Sequence, residues 1–247
     1  MNNTEFTKAL SSLRASVKKV GFICAMDCEL EAVTKLFDNV TTKKIGSIEF
    51  YLGKICGIEA FAAKCGVGKV FAAICTQTMI LSFAPDLIIN TGVAGNLSEN
   101  LRIGDVALSS AVVQHDMDTS PLGDPIGLIS GINVIEIKSD LDAATVMHSC
   151  LSEIGIKSEI GVIASGDQFV ASGEKKDFIR DTFGAISCEM EGASVGHVCF
   201  VNGVRFLVVR ALSDDADGAS PDDFPAYCIK VSENSSKAIY AFMKAIS

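Results

Sequence analysis

The chain has 247 residues, 49% of them hydrophobic, which suffices for one α/β domain with an extensive buried core. Its net charge of -9 and the lack of any Lys/Arg-rich block exclude a nucleic-acid backbone or an anionic membrane surface as the main partner. With that charge a small neutral or cationic ligand fits better, and no apolar stretch reaches the roughly 20 residues that span a bilayer.

In chain order, residues 1–18 form an amphipathic extension with Phe6, Leu10, Leu13 and Val17 at helical spacing, unlike the continuous apolar core of an export signal. Residues 19–247 read as one domain. A strand from Val20 to Ala25 precedes a helix from Glu29 to Phe37 and a hairpin from Ile45 to Cys65. A helix over Lys69–Phe83 leads to a strand at Leu87–Asn90. Further strands are expected at Val106–Gln114, Ile160–Ala164, Ala185–Met190 and Val204–Ala211, with helices at Leu141–Ile154, Glu174–Phe183, Gly192–Val201 and Pro225–Ile246. The stretch from Asp118 to Gly131 is rich in Gly, Pro and Asp and reads as a long ordered loop. Alternating strands and helices imply a mostly parallel sheet covered on both faces.

The nine cysteines are odd in number, lie mostly in apolar runs and form no C-x-x-C pair. They read as small core residues in a reducing cytosol, which gives an expected cytoplasmic location.

Three acids mark the ends of apolar runs far apart in the chain: Glu29, Glu191 and Asp214. In an open α/β sheet ligands sit beyond the carboxyl ends of the strands, so these acids have one pocket in which to converge. Competing motifs fail. Gly66-Val67-Gly68-Lys69 lacks the Gly and the Ser or Thr of a P-loop, with Ala63 and Val70 in their places. Gly92-Val93-Ala94-Gly95 lacks the dinucleotide spacing but makes a turn that can approach a ligand closely. Asp214-Asp215-Ala216-Asp217-Gly218 lacks calcium-loop ligands, because Ser213 and Phe224 stand where Asp and Glu are required. His115, His148 and His197 have no metal-ligand spacing, and neither a metal nor another cofactor is expected.

Six segments occur together and in order: Ala25-Met26-Asp27-Cys28-Glu29, Gly66-Val67-Gly68-Lys69, Asn90 to Gly95, Ser165-Gly166-Asp167-Gln168-Phe169, Glu189-Met190-Glu191 and Arg210-Ala211-Leu212-Ser213-Asp214. From Val20 onward the chain resembles the 5'-methylthioadenosine/S-adenosylhomocysteine nucleosidases of the nucleoside phosphorylase superfamily. That resemblance implies a single-domain three-layer α/β/α fold with a mixed, mostly parallel central sheet. It implies hydrolysis of the N-glycosidic bond of methylthioadenosine or S-adenosylhomocysteine, with 5'-deoxyadenosine a further candidate, and release of adenine.

The resemblance also assigns roles. Asp214, oriented by Ser213, is the general acid toward N7 of adenine; Glu29 activates the water, with Arg210 helping to hold it; Glu191 grips the ribose hydroxyls above Met190. Phe169 stacks on the base, the Val170 backbone reads its edge, and Phe224 closes the pocket. Met26, Val67, Gly95 and Glu189 complete the substrate contacts. Thr119 and Leu122 match positions that reach the neighbouring subunit's site, which implies a homodimer. Val93 stands where some relatives carry Ser, and the loop from Asp116 to Pro125 is less apolar than usual.

Phosphate wants several Arg or backbone donors, whereas this chain places Asp27 and Glu29 in the first loop and Asn90-Thr91, with no Arg, before the Gly92 turn. Hydrolysis is therefore expected over phosphorolysis. A purine nucleoside phosphorylase and a non-catalytic nucleoside-binding or storage protein of the same fold are the alternatives.

Overall fold

The apolar run near the N-terminus becomes a strand deep inside the sheet, because neither of its faces carries charge. The computed structural model describes residues 3–216 and 224–247, with side chains for 4–216 and 233–247. The elements run α1 (Asn3–Ser16), β1 (Lys19–Cys24), α2 (Asp27–Thr34), β2 (Asp38–Ile45), β3 (Ile48–Ile55), β4 (Ile58–Lys64), α3 (Lys69–Phe83), β5 (Leu87–Asn96) and β6 (Val106–Gln114). There follow β7 (Ile137–Lys138), α4 (Leu141–Glu153), β8 (Ser158–Ser165), α5 (Gly173–Phe183), β9 (Ala185–Glu189), α6 (Gly192–Asn202), β10 (Arg205–Asp214) and α7 (Phe224–Ile246).

The sheet is mixed, in the order β10-β6-β8-β9-β5-β1-β4-β3-β2. β10 also pairs with β5, so β5, β10, β6, β8 and β9 form a closed barrel beside the open remainder. The barrel is a feature the sequence reading did not include: β9 turns back to pair antiparallel with the end of β5 at Gly95–Cys188 and Asn96–Ser187. One helical layer packs α1, α2, α4 and α7 through residues such as Leu13, Leu30, Met147 and Phe242; the opposite layer packs α3 and α6 through Met79 and Cys199. Alternation along β10 sends Leu207 and Val209 to the first layer and Phe206 and Val208 to the second. Each such buried large apolar side chain contributes about 1.5–3 kcal/mol.

α1 is held on α4 and α7 by buried Ala9 and Leu13, and the Arg14 Nε donates to the Ala245 carbonyl at 2.9 Å. Differences from the sequence reading have local causes. β2 precedes the expected hairpin, giving a three-stranded meander; its residues are almost all exposed, so it shows no apolar alternation. β5 runs six residues beyond Asn90, through polar and Gly positions that do not read as strand. The 118–131 loop contains a short 3-10 turn at Ser120–Leu122, and β7 follows it. The eight cysteines with described side chains are free thiols. Among the described residues no helix is long and apolar enough to cross a membrane.

Candidate active site

A pocket of about 170 Å³ opens where β5, β9 and β10 end and α2 and α6 begin. Glu29, Glu191 and Asp214 all line it, as do Met26, Val67, Gly95, Phe169, Val170, Glu189, Met190 and Ser213. Ala25, Val93, Ala94, Gln168 and Cys188 join them; of these, sequence reasoning singled out only Val93. None of the sixteen described residues on the wall is Lys or Arg, and four are carboxylic acids.

Glu29 lies in the first turn of α2, where free N–H groups favour an acid. Its Oε2 accepts from the Ala25 and Met26 N–H groups at 2.8 and 3.0 Å, and its Oε1 accepts from Val93 N–H at 3.2 Å. Burial pushes its carboxyl above the ordinary value, although Arg210 and the three N–H groups pull the other way.

Glu189 and Glu191 flank Met190 at the start of α6. Glu191 Oε1 accepts from Gly68 N–H at 2.8 Å, and Gly68 has φ 102°, a backbone that only glycine adopts easily. Burial first, and the charge of Glu189 second, push the Glu191 carboxyl up to about 7. Glu189 is already fully used. It accepts from the Glu191 and Gly192 N–H groups, capping α6, from the Ser165 hydroxyl and from Arg210. Its oxygens therefore hold the frame, and little remains of them for a substrate.

Arg210 is 1% exposed and stands behind the pocket wall, hydrogen-bonded to Asn90 and Glu189, with Glu191 at 3.7 Å. Burial disfavours its charge, but Glu189, Glu191 and Glu29 outweigh that and hold the guanidinium above its ordinary range. A Cβ at Gly92 would collide with both Arg210 and Glu29, so this glycine permits their approach. Arg210 thus organises carboxylates from behind the wall, with Glu29 among those beside it.

Asp214 ends β10. Its Oδ2 accepts from the Ser213 hydroxyl at 2.8 Å, and its Oδ1 accepts from Ala216 N–H at 2.9 Å. Phe169 is 59% exposed at the mouth and Val170 is buried.

Asp27, Thr119 and Leu122 stand off the described wall. Asp27 is exposed, pairs with Lys64 at 2.7 Å and does not line the pocket, because the first turn of α2 sends it outward while Glu29 turns in. Thr119 bonds to Asp124 at 2.8 Å and Leu122 is 84% exposed; neither lines this chain's own pocket, and the expectation for both concerns a neighbouring subunit's site. Phe224 opens α7, and its side chain lies outside the described residues. Asn90, Ser165 and Gly68 position site groups, and nothing but their place in the quoted segments could have signalled it.

With buried acids gathered around one small pocket on a barrel-containing α/β sheet, the chain has the anatomy of an enzyme that handles a nucleoside by acid and base chemistry. The family signature described as the phosphorylase superfamily matches residues 19–244, and the chain belongs to that superfamily. Within it, the chain falls in the 5'-methylthioadenosine/S-adenosylhomocysteine nucleosidase family, whose members are N-glycosidic hydrolases. It is 37% identical to the nucleosidase of Tolumonas auensis over 92% of this chain and 100% of that one. It is 35% identical to that of Shewanella halifaxensis at the same coverage. Among solved structures, the Neisseria meningitidis nucleosidase in complex with methylthio-immucillin-A superposes with a TM-score of 0.88 at 32% identity, covering 92% of this chain and 99% of that one. A futalosine hydrolase of Helicobacter pylori superposes with a TM-score of 0.86 at 35% identity, covering 92% and 97%.

Proposed function

We propose that the chain hydrolyses the N-glycosidic bond of 5'-thio-substituted adenosines, methylthioadenosine and S-adenosylhomocysteine foremost, and releases adenine. The observation that carries this reading is the convergence of Glu29, Glu191 and Asp214 on one pocket whose described wall holds no cation. Asp214, fixed by Ser213 and Ala216, is the general acid that protonates N7 of the leaving base. Glu191 grips the ribose hydroxyls and places negative charge near the developing oxocarbenium. Glu29 takes a proton from the attacking water, and the burial that raises its pKa favours its taking up that proton. Arg210 acts through Glu189 and Glu191 as a positioning residue. Phe169 stacks on the base, and the Val170 backbone reads its edge.

Phosphate would meet carboxylates and find no Lys or Arg on the described wall, which favours water as nucleophile over the phosphorylase alternative. A second copy of the chain is part of this reading. α3 exposes Val70, Phe71, Ile74 and Leu81, a face suited to burial in a homodimer, and in that dimer the exposed Leu122 enters the neighbour's site.

The test is adenine release from methylthioadenosine, S-adenosylhomocysteine, 5'-deoxyadenosine, adenosine and futalosine, with and without phosphate. Release that ignores phosphate supports the reading. A strict phosphate requirement or ribose 1-phosphate products would overturn it.

A further inference from the structure

Beside the pocket, three loops meet at a cluster of charges that the chemistry above does not use. Lys69, the first residue of α3, donates from Nζ to Asp116 Oδ1 at 2.6 Å and to Gln114 Oε1 at 3.2 Å. Its backbone N–H donates to Asp167 Oδ1 at 2.8 Å, and its carbonyl accepts from the Ser194 hydroxyl at 2.6 Å. Asp116 Oδ2 closes the ring by accepting from the Asp167 N–H at 2.9 Å. The Lys69 and Asp116 side chains are only 19% and 16% exposed, so water and salt screen this pair less than a surface pair. Burial works against the Asp116 carboxylate, yet the Lys69 and Asp167 contacts prevail and hold it below the usual carboxylate range.

The ring's chain neighbours give it meaning. The residue before Lys69 is Gly68, whose N–H holds Glu191. Two residues after Asp167 comes Phe169, at the pocket mouth. Gly66 and Gly68 both have positive φ, 96° and 102°, and glycines in such a turn surrender much conformational freedom when they order. Something must hold the turn against that freedom.

We propose that Lys69 is a positioning residue: closing on Asp116 and Asp167, it fixes the turn that carries Phe169 and Val170 relative to Glu191, so that base and ribose contacts form together. The kinetic part rests on the nucleosidase reading above. Because the clasp acts through Phe169 and Val170, which hold the base and do not take part in the proton transfers, while Glu191 keeps its bond to the Gly68 N–H, its loss raises KM and leaves kcat nearly constant.

The experiment compares wild type, Lys69→Met, Asp116→Asn and the double variant by hydrogen–deuterium exchange over residues 164–170 and by steady-state hydrolysis of methylthioadenosine. Each single variant is expected to speed exchange in that segment at least about threefold while α6 stays protected. Each should raise KM about tenfold with kcat within about threefold, and the double variant should do no worse than either single one. Unchanged exchange overturns the clasp. Faster exchange with unchanged KM, or with loss confined to kcat, overturns the positioning role. Exchange that rises throughout the molecule shows general unfolding and also counts against the proposal. If wild type releases no adenine, the nucleosidase reading fails, and the exchange arm still decides whether the clasp exists.

Discussion

Glu189 and Arg210 form an ion pair in the interior with 3% and 1% of their side-chain surface exposed, and the pair touches Asn90, Ser165 and the start of α6. Removing one partner of a buried pair leaves the other charge without compensation, at a cost of about 3–5 kcal/mol. Glu189→Ala is therefore expected to lose stability on that scale in urea denaturation. A loss below about 1 kcal/mol would mean that the pair is not what holds the frame.

Asp214→Asn keeps the shape of the side chain and can still bond to Ser213 and Ala216, so the fold should persist. A positioned general acid contributes about a hundredfold or more, and kcat should fall by at least that factor. Near-normal turnover by a folded variant would remove Asp214 from the mechanism.

Glu29 and Glu191 separate by the kind of damage their substitution does. Glu29→Gln should abolish hydrolysis and leave ligand affinity largely intact, since the amide cannot accept the water's proton. Glu191→Gln should weaken affinity as well as rate, by about 1.5–3 kcal/mol for hydrogen bonds to a charged group. Calorimetric titration of a non-hydrolysable 5'-thioadenosine analogue decides it: equal losses of affinity would show that the two roles are wrongly assigned.

Stability should carry a pH signature from Glu191. Its folded value of about 7 lies above the ordinary 4.5, so its contribution is fully present below about 4.5 and is lost as the pH rises to about 7. Glu191→Gln has no such proton to lose. Its stability relative to wild type should rise across that window, read as urea midpoints at about pH 5 and about pH 8. Parallel midpoints at the two pH values would place the Glu191 carboxyl in an ordinary environment.

Much of this site was legible because its chemistry sits at the ends of apolar runs. Val20 to Ala25 and Val204 to Ala211 announce buried strands, and the acids beyond them are conspicuous. Lys69–Phe83 and Val106–Gln114 match the structure at both ends for the same reason. The misses share a cause too. Thr91, Gly92 and Gly95 belong to a strand buried by its partners on either side, and their own side chains do not advertise it. β2 hides for the opposite reason, since it buries no face. That Asp27 points away and Glu29 inward depends on where the first turn of α2 begins, a matter of one residue.

One further consequence concerns the register of β10 against β5. Arg210 pairs with Gly92 and Leu212 with Ala94, but Asp214 pairs with Gly95, so Ser213 is an extra residue at a bulge. Alternation puts Gly92 and Gly95 on opposite faces, and the bulge lets one strand deliver Arg210 to the first and Asp214 to the second. Residue count along this strand is thus a form of information separate from residue identity. A library that varies side chains between Arg205 and Asp214 would keep the two charges on their proper sides, because Ser213 is the extra residue that leaves them four apart along the chain and only three apart across the sheet.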